Sequence, residues 1–199
     1  MSETPPAGAA NVLMLCSANQ CRSPMAAALL TRRLGALATP LVVRSAGLLG
    51  GGEPPPPRAI TALAPYGLDI SGHRSHQMTE ADLARADLVL GMSREHVRHA
   101  VVTVPGAWPR AFTLKELVRR GEEAGPAKPG ELLAGWLARV HEGRDHAALL
   151  GASPVDDVAD PIGGPLRAYA DTASQLDELI SRLARLCWRL PADSLPGQP

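Results

Sequence analysis

Val12 to Leu15 are four apolar residues in a row, and they predict a short buried strand at the head of the patterned chain. Ser23-Pro24 then opens an alanine- and leucine-rich helix, with Ser23 read as its N-cap and Pro24 as its first helical residue. Leu41-Val42-Val43 predicts a second strand. Leu48 to Pro57, with three consecutive glycines and four consecutive prolines, is a loop. Arg58 to Ala64 predicts a short helix stopped by Pro65-Tyr66-Gly67. Thr79 and Asp82 have the spacing of a capping box for the helix that follows. Asp87 to Met92 predicts a third strand, and Ser93 is placed to cap a helix ending before Pro105. Ala111 to Leu114 predicts a fourth strand, with a helix beginning over Lys115 to Arg120.

From Gly121 to Pro154 the pattern weakens, apart from a helix-like piece around Glu131 to Glu142 between glycine- and proline-containing linkers. The final element is the strongest. Leu166, Tyr169, Ala173, Leu176, Leu179, Ile180, Leu183, Leu186, Cys187 and Leu190 recur at helical spacing. Strands separated by helices predict an α/β fold: a single domain with a central parallel four-stranded sheet and helices on both faces.

Composition narrows the partners. The chain has 199 residues, 45% of them hydrophobic, enough for one core. Twenty basic residues balance twenty acidic ones, which gives no reason to expect nucleic acid or an anionic membrane. Residues 1–10 and 191–199 read as disordered tails around a domain over 11–190. Nothing in the opening residues resembles a leader, and no apolar run reaches membrane-spanning length. Cys16, Cys21 and Cys187 are too few for a stapled secreted framework, so the expected location is a reducing cytoplasm. Oligomeric state is not readable.

The candidate chemistry lies between the first strand and the first helix. Cys16 and Arg22 bracket five residues there, so a thiol, a guanidinium fork and several backbone N–H groups face one point. A helix N-terminus favours a tetrahedral oxyanion, and Arg grips two of its oxygens at once. A positive field of this kind also favours a thiolate, which is the nucleophilic form of cysteine.

Cys16-Ser17-Ala18-Asn19-Gln20-Cys21-Arg22-Ser23-Pro24 resembles the signature of the low-molecular-weight protein tyrosine phosphatases, Cys-x-Gly-Asn-x-Cys-Arg-Ser-Pro. The resemblance implies hydrolysis of a phosphotyrosine protein or a small aryl phosphate through a phosphocysteine, with no cofactor and no metal. His73 and His76 stand three apart without further ligands to complete a metal site. By the same resemblance Asp160, before Pro161, is the general acid, Asp156 and Asp157 being the runners-up, and Ser45 and His73 hold Asn19. The hydroxyl of Ser23 is placed to donate to the sulfur.

The chain departs from the family in three places. Ala18 replaces the glycine, Ile162 stands where many members carry an aromatic residue, and Pro56 stands where an aspartate precedes Pro57-Arg58. Against the family core, 121–154 reads as an insertion, which could bring Trp136 over the cleft. Cys21 is either a packing thiol or a disulfide partner that protects Cys16. The competing readings are a thiol-dependent arsenate reductase on the same fold and a phosphate-binding module without turnover.

Overall fold

A computed structural model describes residues 10–35 and 41–189. The expectations for the two tails fall almost wholly outside these residues, as does Leu190. The four strands are β1 (Ala10–Cys16), β2 (Leu41–Gly47), β3 (Leu88–Gly91) and β4 (Ala111–Thr113). They form one parallel sheet in the order β2-β1-β3-β4. After β2 the chain crosses to the far side of β1, so the strand order reverses beside the carboxyl end of β1. In open α/β sheets that crevice is where ligands bind.

At β1, β3 and β4 the sheet is buried on both faces, and its side chains divide by parity. On β1, Val12, Met14 and Cys16 enter one apolar cluster while Leu13 and Leu15 enter the other; on β3, Leu88 and Leu90 oppose Val89. The first cluster lies under α1 (Arg22–Leu34), α2 (Pro57–Leu63), α5 (Leu114–Ala124), α6 (Leu133–His141) and α7 (Leu166–Trp188). The second lies under α3 (Glu80–Arg85) and α4 (Arg94–Thr103). The expected architecture is therefore present, and α7 carries its apolar stripe against α1, α2 and α5.

Several helix ends differ from expectation, for local reasons. Cys21, not Ser23, is the N-cap residue of α1, and Ser23 is already helical because its hydroxyl turns inward to the cysteine sulfur. Ser93 precedes α4 as expected, but its hydroxyl faces the His96 ring, and the Arg94 N–H is taken by Asp157 instead. The box over Thr79 and Asp82 forms, and a second one joins Thr113 to Glu116.

Helix α5 also runs on through Gly121, where a Cβ would lie 2.8 Å from Cζ2 of Trp136. Trp136 is fully buried there, donating from Nε1 to the Gly125 carbonyl at 2.9 Å. The placement of Trp136 over the cleft is thus overturned: an indole of that size fills the apolar space that a glycine leaves open on α5.

Candidate active site

The chain leaves β1 at Cys16 and enters α1 at Arg22, so residues 17–21 form a loop at the strand-order reversal. Two bonds from the end of β2 seat it, Leu48 N–H to the Cys16 carbonyl at 3.2 Å and Leu49 N–H to the Ser17 carbonyl at 2.9 Å. Within the loop no backbone N–H from Ser17 to Cys21 donates to an acceptor among the described residues. Successive unpaired N–H groups around a tight turn make an anion-binding concavity.

Asn19 sets the shape of that turn. Its backbone is left-handed, with φ of 53°, and its side chain is fully buried. Nδ2 donates to Ser45 Oγ at 2.8 Å and to Ser23 Oγ at 3.0 Å, while Oδ1 accepts from the His76 N–H at 2.8 Å. The Asn19 carbonyl lies 2.7 Å from His73 Nε2. Ser45 and His73 therefore both reach Asn19, joined by the main chain of His76, which the motif gave no reason to expect. Ala18 is accommodated because the left-handed position falls on Asn19 and not on Ala18.

Gly47 is a further residue that the motif did not mark. A Cβ there would lie 2.8 Å from Asn19 N and 2.9 Å from both Ala18 C and the Ser17 carbonyl oxygen. These are all backbone atoms of the loop, so β2 touches it only because position 47 has no side chain. The signal available was the Gly of Ser45-Ala46-Gly47 directly after a strand.

Cys16 sits at the core edge with its sulfur 3.0 Å from Ser23 Oγ, the hydroxyl donating. Cys21 is buried and its thiol meets Met25 Sδ at 3.5 Å. Burial first, and then the negative charge near Asp160 and Cys16, push its pKa up to about 12. That environment disfavours the Cys21 thiolate at neutral pH. Gln20 is half-buried on the rim.

Arg22 joins the loop to the far end of the chain. Its Nη1 donates to the Val158 carbonyl at 3.1 Å, and its Nη2 to Ser17 Oγ at 3.2 Å and to Asp160 Oδ2 at 2.5 Å. Nε has no acceptor among the described residues, and no unpaired side-chain N or O is fully buried there, so this N–H is accessible. The arginine is largely buried while the Asp160 side chain stays 39% exposed.

Val158 N–H bonds the Met92 carbonyl just past β3, which holds the Asp160 segment over the loop. The runners-up have other partners. Asp156 is buried between Arg94 and Arg119, and Asp157 caps the start of α4. A cavity of about 540 Å³ opens beside Arg22 and Asp160, with Ser93, Glu95 and Arg98 on its wall. A cavity of about 670 Å³ lies near Asp87 and Leu133, toward the other end of the sheet from Cys16. Among the described residues no three His, Cys, Asp or Glu side chains gather to hold a metal ion. No helix there is long and apolar enough to cross a membrane.

One more residue was missed. His96, in the first turn of α4, is buried beside the loop with Nε2 3.1 Å from Ser17 Oγ and Nδ1 2.8 Å from Ser93 Oγ. Burial, followed by the charge of Arg22, pushes its pKa down to about 3.

Residues 11–126 match the family model described as low molecular weight phosphotyrosine protein phosphatase. A protein-arginine-phosphatase of Geobacillus stearothermophilus is 31% identical over 174 residues, covering 87% of this chain and 93% of that one. A probable low molecular weight protein-tyrosine-phosphatase of Ralstonia solanacearum, EpsP, is 38% identical over 107 residues, covering 53% of this chain and 71% of its own. Among solved structures, the low molecular weight protein tyrosine phosphatase of T. tengcongensis superposes with a TM-score of 0.67 at 33% identity, over 89% of this chain and 99% of that one. With a family model matched over more than half its length and a relative matched almost end to end, the chain belongs to the low-molecular-weight phosphotyrosine protein phosphatase family and is a phosphatase.

Proposed function

We propose that the phosphoryl group is transferred to Cys16 and then to water, with Arg22 and the loop N–H groups holding the equatorial oxygens and Asp160 moving the protons. The observation that supports this most is the 2.5 Å contact between Arg22 and Asp160. It brings the one exposed carboxylate of the distant Asp-Pro loop onto the arginine of the loop that bears the thiol. In the free protein Asp160 and a phosphate compete for Arg22. An arriving dianion displaces the carboxylate, and repulsion between the two negative groups then favours the protonated acid.

Sulfur attacks phosphorus, the P–O ester bond breaks, and the departing oxygen takes the proton of Asp160. In the second step Asp160 takes a proton from water as that water attacks phosphorus and the P–S bond breaks. The Ser23 hydroxyl, donating to the sulfur, stabilises the thiolate as it leaves.

The substrate class we favour is an aryl phosphate such as phosphotyrosine. A second reading has support from several comparisons: the relatives from Geobacillus stearothermophilus and Bacillus subtilis, both matched almost end to end, are named for arginine phosphatase activity. The site is compatible with either. The exposed large apolar side chains near it, Ile162 beside Asp160 and Leu49 beside Ser17, are aliphatic and favour no ring. An arsenate reductase is disfavoured because the remaining thiol, Cys187, sits on α7 with its pKa raised by burial. All three cysteines are free, as suits a reducing cytoplasm.

The test is Cys16→Ser assayed beside wild type on an aryl phosphate and on phosphoarginine. Turnover of the preferred substrate should fall by at least about 10⁴-fold while vanadate still binds, because the N–H cradle survives. Comparable hydrolysis by the variant would overturn the assignment, and the ratio of kcat/KM for the two substrates in wild type decides the class.

A further inference from the structure

We propose that His96 is a positioning residue that acts through Ser17 to keep Arg22 aimed at the loop while Asp160 is away serving as the acid; this rests on the roles assigned above to Arg22 and Asp160. The case begins with hydrogen count. A guanidinium has only donors, so at 3.2 Å Ser17 Oγ accepts from Arg22 Nη2. The serine hydrogen is then free to be donated, and His96 Nε2 is the ring nitrogen 3.1 Å away. His96 is 1% exposed and, with its pKa near 3, neutral at working pH, so one nitrogen donates and the other accepts.

The arrangement that uses every hydrogen in one direction runs from Arg22 N–H to Ser17 oxygen, from Ser17 O–H to His96 Nε2, and from His96 Nδ1–H to Ser93 Oγ at 2.8 Å. A chain polarised by a cation at one end strengthens each of its members. It is also mechanically fixed. Asp157 pins the first N–H of α4 at 2.8 Å, and a Cβ on Gly91 would lie only 3.0 Å from His96 Cβ, so β3 closes directly on the ring's base.

The chain matters at one moment of the reaction. Nη2 has two acceptors in the free protein, Asp160 and Ser17. Once Asp160 leaves to protonate the departing oxygen, Ser17 is the remaining side-chain acceptor on that nitrogen. If its oxygen is not held, the guanidinium can swing away from the oxygens that it should stabilise. The loss should therefore appear in kcat and in vanadate affinity, both of which report the transition-state geometry, more than in binding of inorganic phosphate.

The experiment compares His96→Gln with His96→Asn in the full chain. The Gln amide reaches the place of Nε2 and can accept from Ser17, whereas the Asn amide reaches only the place of Nδ1. His96→Asn should lower kcat and vanadate affinity in parallel, on the order of 10–100-fold. His96→Gln should stay within about 3-fold of wild type, and phosphate affinity should change by less than about 3-fold in both. In a Ser17→Ala background, His96→Asn should cost no more than about 2-fold further.

Equal losses for Gln and Asn, or additive losses with Ser17→Ala, would overturn the proposal and leave His96 a packing residue. Should the His96 variants not fold, the nitrogen resonances of the wild-type ring decide: a proton on Nδ1 supports the chain, and one on Nε2 refutes it. Wild-type turnover that did not depend on Cys16 would instead refute the parent reading, an outcome that neither ring measurement can mimic.

Discussion

Two buried arginines, Arg22 and Arg144, define the two halves of this molecule, and they differ in what is left over on the guanidinium. Arg144 lies behind α5 with its side chain 1% exposed. Nε and Nη2 fork onto Glu116 at 2.7 and 3.1 Å, Nη2 also donates to the Ala111 carbonyl, and Nη1 serves the Trp108 carbonyl and His141 Nδ1. The group is further stacked between the Trp108 and Phe112 rings, 3.8 Å from each centroid. With five donors engaged it has nothing to offer a ligand. Arg22 is nearly as buried, yet it keeps Nε accessible and shares Nη2 with a half-exposed carboxylate that can be displaced. A saturated buried arginine holds structure together; an unsaturated one at a loop of unpaired N–H groups is set to bind.

The comparison breaks most sharply if the two are exchanged in role. Arg22→Lys should lower kcat/KM by about 10²–10³-fold, because a point charge cannot replace the fork, while stability moves by less than about 1 kcal/mol. Arg144→Met should do the reverse. It strands Glu116 in a buried site at a cost of about 3–5 kcal/mol, with the specific activity of the folded fraction unchanged. Denaturant unfolding alongside kinetics checks both; an Arg144→Met enzyme that folds but does not turn over would end the distinction.

Asp160→Ala comes next. With a basic leaving group the rate should fall about 10²-fold, and with a strongly activated aryl phosphate far less. Vanadate affinity should hold or rise, since Arg22 loses a competitor. Equal slopes of rate against leaving-group pKa for variant and wild type, with chemistry rate-limiting, would remove Asp160 as the acid.

Gly47→Ala sharpens the same contrast with a single methyl. Its Cβ would meet loop backbone at 2.8 to 2.9 Å, which has no flexible end to yield, so activity should fall about 10²-fold. Gly121→Ala introduces a methyl equally close to Trp136, on the structural side of the molecule. It should cost about 1–3 kcal/mol of stability and leave kcat/KM alone.

The cradle was legible in the sequence because nine contiguous residues carry it, and the strand and helix on its flanks have strong local patterns. Asp160, Ser45 and His73 became readable only through the family resemblance, since an Asp-Pro turn or a loop histidine has no signature of its own. Arg144, Glu116 and Trp136 lie in or beside the stretch where periodicity fails, and their partners come from β4, α5 and α6, so no window of sequence contains the interaction. His96 was hidden differently. A polar residue in the first turn of an amphipathic helix looks solvent-facing, and only the close approach of β3 at Gly91 turns it toward the loop.

The smallest expected effect concerns the outer support of the cradle, where Asp82 is well satisfied and half-buried beside an exposed His76 ring. Asp82 Oδ2 accepts from the Thr79 N–H at 3.0 Å, the Thr79 hydroxyl at 2.6 Å and His76 Nε2 at 2.9 Å, and the main chain of that same His76 holds Asn19. Burial opposes the charge of Asp82, but these bonds outweigh it and hold the carboxyl at about 2, below its ordinary 3.8. A carboxylate whose folded pKa is depressed stabilises the fold above its unfolded pKa and loses that contribution as pH falls toward the folded value. Wild type should therefore exceed Asp82→Asn by about 1 kcal/mol above pH ~4, allowing for solvent screening, and the gap should close as pH approaches about 2. Activity of the variant at neutral pH should drop by no more than about 3-fold, because Ser45, Ser23 and His73 still hold Asn19. Thermal unfolding of both proteins from pH 2 to 6 reads the first quantity. A gap that persists unchanged at pH 2 would mean that Asp82 acts through its shape in the capping box and not through its charge, and a large loss of activity would move it from the periphery of the cradle to its foundation.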